Sequence, residues 1–360
     1  MCMPDKKNST TDFAQQIKEG LDEVLASDPS TLIMGLGVTD PKGVFGTTLG
    51  LSEKYGPNRV IETPTSENAI TGIGVGLAIT GYRPIMVHQR LDFFLLAMDQ
   101  LVNSAAKWHY MFGGQQSVPI TIRLITGRGW GQGPTHSQNL HSWFTHIPGL
   151  KVVMPSLASD VKSLLIASIR DPNPVIFIED RWCHVQKIDR SSIVSNSAVE
   201  IGKAELIEHG DDLTIVAAGF STIQTLRAVK LIKKFNIKVD LIDLKTLKPL
   251  DTDTIFSSVN KTGKLLVIDS GPQISSFASE IVSQVCRSNF QNLKSAPEII
   301  TAPDVPEPTS YGVTGKFKFN SKVIAIKVLE MLGKELNHFD LTELEDSQYD
   351  VPNSSFTGPF

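Results

Sequence analysis

Two successive α/β units with mainly parallel sheets are what this 360-residue sequence predicts. Three observations carry that reading. Strand-length apolar runs alternate with longer helix-period segments, twice over. The runs are continuously apolar, as in strands covered on both faces. A polar, mixed stretch over 180–211, ending at the turn Gly210-Asp211-Asp212, interrupts the alternation once and reads as a linker.

In chain order the first series reads as helix 11–26, strands 31–35 and 58–62, helix 66–80, strand 83–88, helix 92–112, strands 119–125 and 151–154, helix 158–170 and strand 174–179. The run Arg59-Val60-Ile61 enters the turn Glu62-Thr63-Pro64-Thr65, after which Ser66 is the expected N-cap and Glu67 lies in the first helical turn. The second series reads as strand 213–218, helix 220–234, strand 238–242, helix 252–260, strand 264–269, helix 275–287, strand 297–301 and helix 321–334. Residues 338–360 are acidic, then rich in Ser, Pro and Gly, and predict a poorly ordered tail or a strand docked on a neighbour.

Composition narrows the function classes. Hydrophobic residues make up 41% of the chain and the net charge is only -4, with basic residues scattered, so nothing advertises nucleic acid or an anionic membrane as a partner. No apolar run approaches the ~20 residues that span a bilayer, and the first residues resemble neither a signal nor a transit peptide, so the expected location is the cytoplasm. Three widely spaced cysteines, Cys2, Cys183 and Cys286, fit reduced thiols and exclude a disulfide framework or a Cys-x-x-Cys metal site.

Glu67 leads a helix that is otherwise small or apolar and stands at the carboxyl end of a strand, the edge where open α/β sheets bind ligands. Position alone favours a carboxylate that merely complements the helix dipole; its apolar surroundings argue for a functional group. The glycines of GIGVGLA, 72–78, follow a full helical turn, so close helix packing fits them better than dinucleotide binding. Phe93 taken singly reads as core. The loop from Gly127 to Gln138 holds four glycines in seven residues and carries His136, which in isolation is more readily structural than catalytic. His141 reads as solvated, His146 as structural, and His209-Gly210-Asp211-Asp212 as a hairpin-like turn.

The strings TPTSENAITGIGVG, DQLVNSAAK, GPTHSQ, HIPGLKVVMP, RDPNPV, DLTIVAAG, DLKTLKPLD and TAPDVPEP occur in an order that resembles the beta subunit of the thiamine-diphosphate-dependent decarboxylase component of 2-oxo acid dehydrogenase complexes, a relative of transketolase. The resemblance runs from about Phe13 to about Leu332. It implies a transketolase-like, three-layer pyrimidine-binding domain over 10–190, a linker over 191–204, a transketolase C-terminal α/β domain over 205–335 and a tail over 336–360. It implies that Glu67 shares a proton with the aminopyrimidine of thiamine diphosphate, that Phe93 stacks on that ring and that His136 assists proton handling at the acyl group. It also suggests potassium on the backbone of Ile120, Ser168, Ile169, Asp171 and Asn173.

A Gly-Asp-Gly followed by Asn-Asn, with which such enzymes hold magnesium and diphosphate, is missing from the sequence, so an alpha subunit is the expected holder of that half, in an assembly of two alpha and two beta chains. A lipoyl acyltransferase is the implied acceptor and a 2-oxo acid the implied substrate. Two departures stand out: Leu36 in place of an acid after the first strand, and Val87-His88-Gln89-Arg90 in place of a more apolar run. His88 or Arg90 faces either the substrate or the partner chain. A split transketolase and a non-catalytic architectural subunit remain the other readings. The second domain reads as a docking and assembly module, with no cluster of acids, bases or nucleophiles at the carboxyl ends of its strands.

Overall fold

The computed structural model describes residues 10–129, 131–189, 199–314 and 320–344. Its first half contains β1 (Thr10–Asp12), α1 (Phe13–Ser27), β2 (Thr31–Gly35), α2 (Leu51–Tyr55), β3 (Val60–Glu62), α3 (Glu67–Ile79), β4 (Arg83–His88), α4 (Leu91–Phe94), α5 (Ala106–Met111), β5 (Thr121–Thr126), α6 (His141–His146), β6 (Lys151–Val153), α7 (Ala158–Arg170), β7 (Val175–Asp180) and β8 (Lys187–Asp189). The second half contains β9 (Glu205–Glu208), β10 (Leu213–Ala217), α8 (Phe220–Ile232), β11 (Val239–Asp243), β12 (Thr246–Lys248), α9 (Thr252–Thr262), β13 (Leu265–Pro272), α10 (Phe277–Ser288), β14 (Glu298–Ala302), α11 (Tyr311–Thr314) and α12 (Ser321–Met331).

Strand periodicity sorts the first core into two layers. Leu32, Met34, Met86, Ile122 and Leu124 point to the face covered by α3, α5 and α6. Ile33, Ile85, Val87 and Ile125 point to the face covered by α1 and α7. The resulting sheet has the order β12-β6-β7-β5-β4-β2-β3 and is parallel except for β12. The second sheet, β14-β13-β10-β11-β9, is parallel except for β9, with α8 and α12 on one face and α9 and α10 on the other.

Helix α1 starts where Asp12 accepts from Gln15 N at 2.8 Å. Ser66 occupies the N-cap of α3 but makes no side-chain cap bond. A β-carbon on Gly74 would lie 2.8 Å from Met86 Sδ, which is the close helix packing expected of this glycine, whereas Gly76 faces open space.

Several expectations need correction. Helix 92–112 is broken into α4, a 3-10 turn at Leu95–Ala97, a π-helix at Gln100–Ala105 and α5. The widened turn ends where Gly149 approaches so closely that a β-carbon there would sit 1.9 Å from Ala106 O. Residues 180–189 are not a solvated linker: Asp180, Arg181, Trp182, Cys183 and His184 are buried, and β8 pairs antiparallel with β1. Of the 191–204 stretch, 191–198 lies outside the described residues. The turn at 209–212 joins no hairpin, because β11 lies between β9 and β10. Residues 336–344 fold back on the second domain, with Phe339 edge-on to Phe235 and Lys234 Nζ 2.8 Å from Glu343; the remaining tail lies outside the described residues.

The two halves are joined by buried polar links. His141 is not solvated; its Nε2 lies 2.7 Å from Asp269 Oδ1, both side chains fully buried. Ser156 Oγ donates to Asp243 Oδ1 at 2.6 Å, and Lys248 Nζ donates to the carbonyls of Thr145 and Ile147. Asp243 and Asp269 are acids within the second sheet, and each binds a group of the first half. His146 is exposed.

Candidate functional site

Because β2, β3, β4, β5 and β7 run parallel, their carboxyl ends share one edge, and the segments leaving them converge. Leu36 follows β2, Thr63 to Glu67 follow β3, His88 to Phe93 end β4 and open α4, and the glycine-rich loop follows β5. Glu62 fixes the first of these turns by accepting from Gly37 N at 2.5 Å and from Thr39 N and Oγ1.

Glu67 and Phe93 line one small cleft together with Leu36, Ile70, His88 and Gln89. Its volume is about 20 Å³, room for a water molecule but not for a heteroaromatic ring. His136 is exposed and meets Phe93 edge-on, ring centroids 5.3 Å apart at 88°. Thus Phe93 touches both the Glu67 cleft and the loop histidine. The loop is held from beneath: Arg90 donates to Gly127 O at 2.9 Å and to Gln132 Oε1, and Gln138 donates through N and Nε2 to Asp92 Oδ1. Asp92 went unrecognised in the sequence; an acid inside the apolar LDFFLL run was the available signal. Trp130 lies outside the described residues.

His88 is 5% exposed and packs edge-on against Phe94 at 4.9 Å. Burial presses its pKa down to about 4, so the imidazole is neutral at pH 7. Arg90 is likewise buried, and desolvation lowers its pKa, opposed by the charges of Asp92 and Asp180.

A larger cavity, about 320 Å³, lies between the two halves behind the same loop, lined by Arg128, Ser137, Asp180, Trp182, Ser221 and Glu307 among others. Burial raises the Asp180 pKa to about 6, against the hydrogen bond from Trp182 N. Reading 180–211 as a linker hid this wall, although the charged and aromatic run Glu179-Asp180-Arg181-Trp182 is unusual for one.

Of the five residues considered for potassium, four have carbonyls that already accept a hydrogen bond: Arg83 Nη1 donates to Ile169 O at 3.0 Å and to Asp171 O at 3.3 Å, and Asp171 N donates to Ser168 O at 3.3 Å. Ile120 O accepts from Val175 N. Among the described residues no group of three His, Cys, Asp or Glu side chains is placed to hold a metal, and no helix is long and apolar enough to cross a membrane. The cleft does fit one edge of a pyrimidine ring: a carboxyl group, a phenylalanine ring and apolar walls are its parts.

The family description "Transketolase, pyrimidine binding domain" matches residues 9–182, and "Transketolase, C-terminal domain" matches 202–324. Among curated proteins, the pyruvate dehydrogenase E1 component subunit beta of Rickettsia bellii is 40% identical over 294 residues, covering 82% of this chain and 90% of that one. The mitochondrial subunit beta-1 of Oryza sativa subsp. japonica is 38% identical, covering 82% and 79%. The acetoin:2,6-dichlorophenolindophenol oxidoreductase subunit beta of Cupriavidus necator is 38% identical, covering 82% and 89%. A solved split-gene transketolase, described as an inactive beta4 tetramer, superposes with a TM-score of 0.72 over 89% of this chain and 98% of its own at 18% identity, a likeness of fold. With matches of this extent, and with Glu67 and Phe93 on one cleft, the chain belongs to the transketolase-like family of 2-oxo acid dehydrogenase beta subunits.

Proposed function

We propose that this chain is the pyrimidine-side half of a thiamine-diphosphate-dependent 2-oxo acid dehydrogenase, active in the cytoplasm only with an alpha subunit, as two alpha and two beta chains. The observation that carries the reading is the convergence of Glu67, Phe93 and, through Phe93, His136 on a cleft too small for the ring it is built to meet. A partner surface has to complete it. The flank of α3 beside the cleft fits that need, since Ile73 is 56% and nearby Leu96 69% exposed.

Bound there, thiamine diphosphate supplies the electron sink for decarboxylation. Glu67 would share a proton with a ring nitrogen, Phe93 would stack on the ring, and His136 would hold or move a proton near the reacting carbon. Magnesium and diphosphate fall to the alpha chain, and a lipoyl acyltransferase takes the acyl group. At the carbonyls of Ile169 and Asp171 we assign the cationic role to Arg83 in place of potassium.

The test is calorimetry and turnover with the chain alone, with its alpha partner, and with Glu67→Gln in that complex. The chain alone should neither bind the cofactor tightly nor decarboxylate a 2-oxo acid. In the complex Glu67→Gln should keep binding while losing about a hundredfold to ten-thousandfold in rate. Micromolar cofactor binding by the chain alone, or a mutant above half the parent rate, would overturn the reading.

A further inference from the structure

The carboxyl end of β4 brings three polar side chains, His88, Gln89 and Arg90, to the edge that holds the Glu67 cleft. Two are committed within the chain. Gln89 Nε2 donates to Leu36 O at 3.1 Å, and Arg90 donates to Gly127 O and to Gln132. His88 is the exception: it lines the cleft beside Glu67 and Phe93, and its buried Nε2 has no hydrogen-bond partner among the described residues.

A buried, unpartnered ring nitrogen lowers stability relative to an apolar side chain of similar size, and such groups call for an explanation outside the fold. The neighbours of His88 offer none, since the ring it packs against is Phe94. We propose that His88 is a further ligand contact of this site, an imidazole that hydrogen-bonds the polar edge of the pyrimidine ring entering between Glu67 and Phe93. The inference rests on the reading above that such a ring enters this cleft. It divides the work between three residues: Glu67 exchanges the proton, Phe93 sets the plane of the ring, and His88 fixes its rotation within that plane. Because burial holds the imidazole neutral well above pH 4, it does so without adding charge next to the Glu67 carboxyl group.

The test uses the alpha–beta complex with thiamine diphosphate and magnesium, comparing the parent with His88→Leu and His88→Gln. Leucine keeps the bulk and removes the hydrogen bond; glutamine places an amide near the position of Nε2. Two quantities are read, the melting temperature without cofactor and the cofactor dissociation constant by calorimetry. His88→Leu should melt at or above the parent temperature and bind the cofactor roughly tenfold more weakly, as loss of one hydrogen bond implies. His88→Gln should recover most of the binding. Parent-like binding by His88→Leu would overturn the proposal and leave His88 as an imidazole satisfied by water. A fall in melting temperature that parallels the loss of binding in both variants would also overturn it, since that is a structural role. If the parent complex itself fails to bind thiamine diphosphate, the reading of the whole cleft fails and this inference with it.

Discussion

Arg123→Met tests whether the strand pair beneath the His136 loop is fixed by charge. Arg123 on β5 donates from Nε to Glu179 Oε1 at 2.5 Å and from Nη2 to Oε2 at 2.9 Å, and both side chains are fully buried. Nη2 also reaches Thr47, and His184 Nε2 lies 3.1 Å from the same carboxylate. Burial pushes the Glu179 pKa up, but the Arg123 charge and the hydrogen bonds from His184 and Arg123 outweigh it and hold it at about 2, against an ordinary 4.5. At about 1.4 kcal/mol per pH unit that drop is worth about 3 kcal/mol. Removing one partner of a buried pair independently leads to about 3–5 kcal/mol. A first domain of this size should therefore melt roughly 6–20 °C lower. Because the folded pKa is depressed, the contribution is present above pH 4.5 and is lost as pH falls towards 2. Urea unfolding at pH 7 and across pH 2–5 reads both effects. The double variant Arg123→Met/Glu179→Met should recover much of the loss, because matched apolar side chains replace the pair. A single variant within about 1 kcal/mol of the parent at pH 7, or a double variant no more stable than the single, would refute the argument.

Asp243 titrates in the opposite sense. Burial raises its pKa to about 7 from 3.8, against hydrogen bonds from Ser156 and Thr222, so its contribution is complete below about pH 4 and is lost as pH rises through 7. Asp243→Asn should flatten that part of the stability profile and melt above the parent at pH 8; an unchanged profile would show that the carboxyl group does not titrate there. Arg83→Met should cost about 1.5–3 kcal/mol for the lost charged hydrogen bonds. Parent melting should be equal in potassium and choline chlorides of the same ionic strength, and a potassium-specific rise in the parent would return the ion to the carbonyls of Ile169 and Asp171.

Much of the fold is legible because parallel strands buried on both faces leave continuous apolar runs: 31–35 and 83–88 coincide with β2 and β4, and helix 158–170 with α7. What depends on distant partners is not. His141 is polar by composition, yet Asp269, 128 residues away, draws it into the interior. The 180–189 stretch looks polar because its polar groups are satisfied inside, with Asp180 accepting from Trp182 N, His184 on Glu179, Arg181 over the Phe45 ring and Trp182 packed against Phe220. The break in helix 92–112 has no sequence marker, since neither proline nor glycine occurs between Leu91 and Met111. Glu67 and Phe93 could be named from the order of motifs. That Gln89 and Arg90 find partners while His88 Nε2 has none among the described residues follows from where Leu36, Gly127 and Gln132 come to lie.

Strand β12 places a piece of the second half on the first sheet: Thr246 and Lys248 pair with Val153 and Val152. Translation delivers β6 and β7 long before β12, so the nascent first half carries an open strand edge at two fully buried valines until the second half arrives. The sheet of the first half is then closed at this edge only by the second. A gene divided near residue 204 would have to return the β12 strand in trans, and recombination that swaps either half must preserve the pairing of Val152 and Val153 as faithfully as the cleft itself.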